Sequence, residues 1–407
     1  MRPNRMRMRR ACVAVSAAGA LLAPVAAGTA YGATAPARSV SAAPSPDGDT
    51  EFPQLTPAVA ARLDTAVRQV MEEAQVPGVT VGLWAPGKGS YVRSFGVADK
   101  ATGAPMTPDL GVRIGSETKT FTVTALLQLV DQGKLALDDT IGKYIPGVPN
   151  GDRITLRELA GMRSGLFNYS EDPGFDAKIT STFTPQQLLD ISFKHPVNFA
   201  PGAKFEYSNT NLILLGLLVE KITGRPIQEV IGQDVVRPAG LSSRTLFPTG
   251  TEFPEPHAHG YTTDLPGGEL VDATDLNPSW AWAAGAMVSE LQDLRSWAKT
   301  LATGTLLTPA TQAERLKTQP IGIIPGAGYG LGIFDVQGWI GHNGSLPGYE
   351  TLTVYLPEEQ ATMVILLNTD DLHEGQEPST LFGEAVTSIV TPDHVYPGHK
   401  PVLPNKG

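Results

Sequence analysis

The chain has 407 residues, a formal net charge of −10, 41% hydrophobic and 18% charged residues, and a single cysteine. The acidic balance argues against a nucleic-acid binder and against attachment to anionic membrane surfaces, and one cysteine rules out a disulfide framework. The length suffices for one large core or two linked lobes.

Residues 1–10 carry five arginines and no acid, and residues 11–27 form an apolar run, interrupted by Pro24, that is short for a membrane span. Ala30-Tyr31-Gly32 predicts cleavage before Ala33, so residues 1–32 read as an export signal. Arg9-Arg10 raises a twin-arginine route, but the rest of that motif is missing and general secretion is expected. Cys12 lies inside this signal, so the mature chain lacks cysteine and with it disulfides, thiol catalysis and cysteine metal sites. Removing the five arginines takes the net charge to −15. A secreted bacterial protein, off the membrane once cleaved, is the expectation. Residues 33–50 are Ala-, Ser- and Pro-rich and read as a flexible leader.

Residues 55–74 have helical periodicity with Leu63, Val67, Val70 and Met71 on one side, stopped by Pro77-Gly78. Residues 79–84 and 91–97 predict two strands joined by Pro86-Gly87-Lys88-Gly89. Ser116 opens the next predicted helix, in which Phe121, Leu126, Leu127 and Leu129 point to burial over much of its surface. From residue 138 to about 283 helical patterns dominate, at 156–162, 185–193 and 210–222. Strand patterns return at 328–336, 339–342, 350–356 and 361–367, and residues 381–390 predict a closing helix. The order predicts an α+β fold, an antiparallel sheet flanked by helices with an inserted all-α lobe. The expected division is a catalytic domain over 51–392 and a tail over 393–407. Within the domain the sheet lobe covers about 51–137 and 284–392, and the helical lobe about 138–283.

The chemistry gathers at Ile114-Gly115-Ser116-Glu117-Thr118-Lys119. At the start of a helix Ser116 and Lys119 share a face, placing an amine beside a hydroxyl at the positive end of the helix dipole. A serine nucleophile needs a base beside it and donors for the charge it creates. Ser116 is therefore the candidate nucleophile and Lys119 its proton partner. Ser296-Trp297-Ala298-Lys299 repeats the spacing but has no Tyr-x-Asn after it. Tyr207-Ser208-Asn209 is the chain's one Tyr-x-Asn. A tyrosine near an ammonium can shuttle a proton, and Asn209 can offer its amide to a substrate carbonyl and to Lys119. The third element is His342-Asn343-Gly344-Ser345 at the end of a predicted strand, where the glycine permits close approach. The N–H groups of Ser345 and Ser116 would form a two-donor oxyanion hole. His257 and His259 are spaced as metal ligands can be, but no third ligand is evident in the sequence, and a solvated loop is expected.

Ser116-x-x-Lys119, Tyr207-x-Asn209 and His342-Asn343-Gly344, in this order, resemble the penicillin-recognising serine hydrolases, the serine β-lactamases and D,D-peptidases. The second and third motifs are similar to those of the class C β-lactamase branch. Within it the likeness is to the secreted D-alanyl-D-alanine carboxypeptidases of actinomycetes. It runs from about 55 to 390, through Arg163-Ser164-Gly165-Leu166 and Tyr207-Ser208-Asn209-Thr210-Asn211. The resemblance implies an acyl-enzyme on Ser116, proton transfer by Lys119 and Tyr207, and substrate positioning by Asn209. It implies that His342 polarises the network of Tyr207, that Asn343 and Ser345 face the substrate carboxylate with Gly344 in the same substrate-binding motif, and that Phe175 and Trp280 are pocket aromatics. It implies no metal or cofactor, a peptidoglycan-type peptide or β-lactam as the small-molecule partner, and a monomer.

Three departures qualify the carboxypeptidase expectation. Asn343 stands where threonine is usual, and Met162 where histidine is. Those enzymes also hold the terminal carboxylate with an arginine before the third motif, and here no lysine or arginine occurs between Lys317 and Lys400. An esterase or D-amino-acid amidase on the same scaffold needs no such clamp and is the alternative. A non-catalytic cell-wall-binding protein is a further one, against which the joint presence of Ser116, Lys119, Tyr207 and Asn209 weighs.

Overall fold

The computed structural model describes residues 52–322 and 324–398. The expected signal and leader, and residues 399–407 of the expected tail, lie outside the described residues.

Nine strands form one antiparallel sheet in the order β3-β2-β1-β13-β12-β11-β10-β9-β8. Its left half is β1 (Gly78–Ala85), β2 (Gly89–Asp99) and β3 (Ala104–Pro105). Its right half is β8 (Gln319–Pro320), β9 (Ala327–Tyr329), β10 (Phe334–Val336), β11 (Trp339–Leu346), β12 (Tyr349–Leu356) and β13 (Ala361–Leu367). First and last strands meet at the centre, Val79 opposite Leu367, which ties the two ends of the domain together. Every residue of β1, β12 and β13 is buried because both faces of the sheet are covered. On one face lie α1 (Pro57–Glu73) and α9 (Pro378–Val390); on the other lie α2 (Thr118–Asp131) and α7 (Leu291–Thr303). α1 starts where the Thr56 hydroxyl accepts from Val59 N and Pro57 fills the first turn, and it buries Leu63 and Val67. Trp297 of α7 stacks on Phe121 of α2 at 4.0 Å and donates its indole N–H to the Thr120 hydroxyl, locking α2 onto the sheet.

The helical part carries α3 (Leu156–Ala160), α4 (Pro185–Ser192), α5 (Asn209–Thr223) and α6 (Ile227–Val230), and α8 (Pro309–Arg315) follows α7. α3 and α4 each open on a capping box, Thr155 with Glu158 and Thr184 with Gln187. α5 stops at Gly224, whose φ is 67°. Two short ribbons complete the chain, β4 (Val112–Arg113) with β7 (Val288–Ser289) and β5 (Tyr261–Thr262) with β6 (Val271–Asp272). Residues 257–274, grouped on sequence grounds with the helical part, hydrogen-bond to the sheet side. Ala258 N donates to Gly111 O, His259 N to Ala98 O and Tyr261 N to Asn368 O.

Two expectations about local structure are corrected. The predicted strand over 328–336 is two short strands, because Gly332 (φ 69°) turns the chain and Gly330 N closes on Ile333 O. The strand expected to stop at His342 runs on to Leu346, so His342 lies mid-strand rather than at an end. Among the described residues no helix is long and apolar enough to cross a membrane.

Candidate active site

Ser116 does not open the α-helix. It occupies a 3₁₀ turn, Gly115–Glu117, and α2 begins at Thr118. The expected neighbourhood survives this shift, because a tighter turn still brings residues three apart together. Lys119 Nζ donates to Ser116 Oγ at 2.8 Å and to the carbonyl of Ala284 at 2.7 Å. Lys119 itself is fully buried, whereas Ser116 is partly exposed. Tyr207, on the loop before α5, presents its ring 4.9 Å from Lys119 Nζ. Tyr207, far from Ser116 and Lys119 in the chain, is thus brought beside them.

β11 supplies the opposite wall. Gly341 pairs with Phe334 of β10, so Asn343 and Ser345, two and four residues on, turn their backbone groups to the same edge, where β10 has ended. The 3₁₀ turn closes on that edge. A Cβ added to Gly344 would lie 1.9 Å from Ile114 O, and one added to Gly115 (φ 52°) would lie 2.6 Å from Ser345 N. Glycine at both positions lets the turn bearing Ser116 sit directly against Ser345, the approach that a pair of N–H donors at one oxyanion requires.

His342 is buried on the α2 face of β11, its Nε2 3.3 Å from the Tyr329 hydroxyl and its ring 6.3 Å from that of Tyr207. Burial, reinforced by the Lys119 charge, pushes its pKa down to about 3, so it is a neutral imidazole. The Asn343 amide, on the opposite face, donates to Glu377 at 2.6 Å. Ser345 is partly exposed, and its Oγ has no hydrogen-bond partner. Asn209 leans toward a loop: its backbone N donates to Asn168 Oδ1 at 3.1 Å and its amide to Ser170 Oγ at 3.2 Å. Phe175 and Trp280 pack edge-on at 5.9 Å, and the Trp280 carbonyl accepts from Tyr169 Oη. That aromatic cluster adjoins the Trp282–Ala284 turn whose last carbonyl holds Lys119.

Three contributors carry no motif of their own. The Ala284 carbonyl leaves no trace in residue type. Tyr329 ends β9, a strand whose bounds the apolar pattern does not mark. Glu171 lies three residues beyond Asn168, whose amide donates to it at 3.3 Å, and burial with the nearby Glu206 charge pushes its carboxyl up to about 7. Glu206, next to Tyr207, is itself bridged by Lys204 at 2.9 Å. On the Asn209 side of the site Glu206 is thus bridged by a cation, whereas Glu171 accepts from the Asn168 amide. Ser296 and Lys299 are both exposed on α7, and Ser296 Oγ bonds back to Gln292 O, an ordinary solvated helix face. His259 pairs with Asp272 at 2.7 Å and His257 with Glu255 at 3.5 Å.

Residues 63–384 match the Beta-lactamase family model. The chain belongs to the beta-lactamase family. The fold is the family's α+β arrangement, and its members and neighbours are serine hydrolases acting on peptides, amides and β-lactams. A D-stereospecific amidohydrolase from Streptomyces sp. is 32% identical with a TM-score of 0.70, over 76% of this chain and 94% of that one. A D-amino acid amidase from Ochrobactrum anthropi SV3 is 28% identical with a TM-score of 0.70, over 83% and 97%. A D-aminopeptidase from Brucella anthropi is 28% identical over 318 residues, 75% of this chain and 59% of that protein. The family member described here spans two thirds or less of the length of the curated relatives it matches.

Proposed function

We propose that the protein is an exported amidohydrolase that removes the amine or ammonia from amides of D-amino acids bearing a free amino group, through an acyl-enzyme on Ser116. Glu171 carries this reading. A free α-ammonium needs a carboxylate beside the reacting carbonyl, and Glu171 offers one, tied through Asn168 and Ser170 to Asn209. A terminal carboxylate needs a cation instead. Asp335 stands on β10, where the carboxypeptidase expectation wants an arginine, and the Asn343 amide is engaged by Glu377. The D-alanyl-D-alanine carboxypeptidase reading therefore lacks its anchor, while the amidase alternative gains one. The similarity to D-stereospecific amidohydrolases points the same way.

In the proposed reaction Ser116 Oγ attacks the amide carbon as its proton passes to the Lys119–Tyr207 pair. The N–H groups of Ser116 and Ser345 hold the oxyanion. The pair returns the proton to the departing nitrogen, the C–N bond breaks, and an ester on Ser116 remains. Water then attacks that ester, giving its proton to the same pair, and the D-amino acid leaves. Neutral His342 packs beneath Tyr207 without adding a charge that would compete with Lys119. The chain is further proposed to be exported through residues 1–32 and to act as a monomer, checked by N-terminal sequencing of the secreted protein and by its elution volume.

The test compares D-phenylalaninamide, its N-acetyl derivative and a diacyl-D-Ala-D-Ala peptide. The free amine is expected to be preferred, and Glu171→Gln to lower its kcat/KM by about 10- to 100-fold, the worth of a charge-assisted hydrogen bond, with neutral esters unaffected. Because an ammonium binds only the ionised acid, wild-type kcat/KM for the amine should fall as pH drops through about 7, a limb that Glu171→Gln removes. Preference for the diacyl peptide would sink the reading.

A further inference from the structure

Glu117 follows Ser116 directly, and no step above uses it. Its side chain is 1% exposed. It faces the hydroxyls of Thr351 and Thr353 on β12, near enough to ease the cost of its charge, yet neither oxygen reaches a partner at hydrogen-bond geometry. Thr351 and Thr353 stand opposite Gly344 and His342 in the strand register, and the Thr351 hydroxyl also donates to Ile114 O at 3.3 Å. The carboxyl is thus wedged between the turn carrying Ser116 and the strand behind the oxyanion edge.

We propose that Glu117 is a positioning residue: as the neutral acid it seats the Gly115–Glu117 turn on β12 and so sets the spacing of the Ser116 and Ser345 N–H groups, and as the carboxylate it unseats that turn. Burial pushes the carboxyl up to about 8, so both forms are reached in ordinary buffers. The turn packs against α2, β11 and β12. On α2, Lys119 is committed to Ser116 and Ala284, and Asp131 lies at the far end. On β11, His342 is neutral. On β12, Glu350 is another acid, and Tyr349 and Tyr355 are neutral phenols held above their ordinary values by burial. Across the sheet, Glu377 and Glu117 both push the Tyr396 phenol up. An ionised Glu117 would thus meet hydroxyls and neutral groups, with Lys119 already held by Ser116 and Ala284, and the cheapest relief is movement of the turn toward water.

The inference concerns the oxyanion edge and stands apart from the choice of substrate. Acetylation of Ser116 by p-nitrophenyl acetate, which has no amino group, is followed by intact mass from pH 6 to 9.5 in wild type and Glu117→Gln. At pH 6.5 the two should react alike. The wild-type/variant rate ratio should then fall about tenfold between pH 7 and pH 9, as the neutral fraction of a group titrating near 8 does. A ratio independent of pH overturns the proposal. Should Glu117→Gln fail to fold, or the ester fail to react, hydrogen exchange of wild type decides. Corrected for intrinsic rates, amides of residues 115–118 should lose protection through the same pH range while those of β13 keep theirs, and constant protection at the turn overturns the proposal.

Discussion

Lys119 buries its amine nitrogen with a hydroxyl on one side and a carbonyl on the other, and Lys299 carries the same group in water. Burial removes competing water and fixes the amine on Ser116, which a solvated lysine on a helix face does not do for Ser296. Lys119→Met is therefore expected to lower the ester and amide kcat by about 10²–10⁴-fold, the range of a lost proton-transfer group. Lys299→Met should leave kcat unchanged and the melting temperature within about a degree or two. Equal losses in the two variants would contradict this assignment. At this scale Ser116, Lys119 and Tyr207 were legible because each carries its chemistry in its side chain and its spacing. Glu171 and Glu117 were not, because what marks them is burial beside other groups: Glu117 is covered by β12, far along the chain, and Glu171 by loops that fold Asn168 and Glu206 against it.

The element that matters most is β11, and its value lies in its backbone. The edge it offers exists because β10 stops at Phe334, and the 3₁₀ turn fills the place a longer β10 would take. The sequence marks the strand by its apolar residues but not its length, since His342-Asn343-Gly344-Ser345 breaks the alternation that identifies strands. The helix start differs from the expectation for a related reason: Ser116 is a residue that favours caps, yet Glu117 occupies the cap position and offers no side-chain bond there. Gly344→Ala tests this scale. Its Cβ would strike Ile114 O, so the turn must move away from Ser345, at a cost of about 1–3 kcal/mol in stability. Acylation by p-nitrophenyl acetate should slow by at least about tenfold with little change in KM; an unchanged acylation rate in a folded variant would show that the close approach is not required.

Across the whole molecule, the sheet closes its own chain, with β1 beside β13, and the helical part borders a site whose parts come from both ends of the domain. The α+β order was readable from the alternation of patterns, whereas the return of residues 257–274 to the sheet was not, because it rests on backbone hydrogen bonds of a loop. Stability should carry the mark of the buried groups. Glu117 is held above its ordinary 4.5, so its contribution is complete below pH 4.5 and is lost as pH rises toward 8. His342 is held below its ordinary 6.5, so its contribution is present above that value and is lost as pH falls toward 3. Thermal melting should show both limbs, and Glu117→Gln should flatten the alkaline one alone. The most direct measurement is peptide mapping of the covalent adduct formed with a penicillin, or trapped by acid quench with p-nitrophenyl acetate. The expected result is one adduct, on the peptide containing Ser116, absent in Ser116→Ala. An adduct on Ser296, or one that persists in Ser116→Ala, would contradict the account.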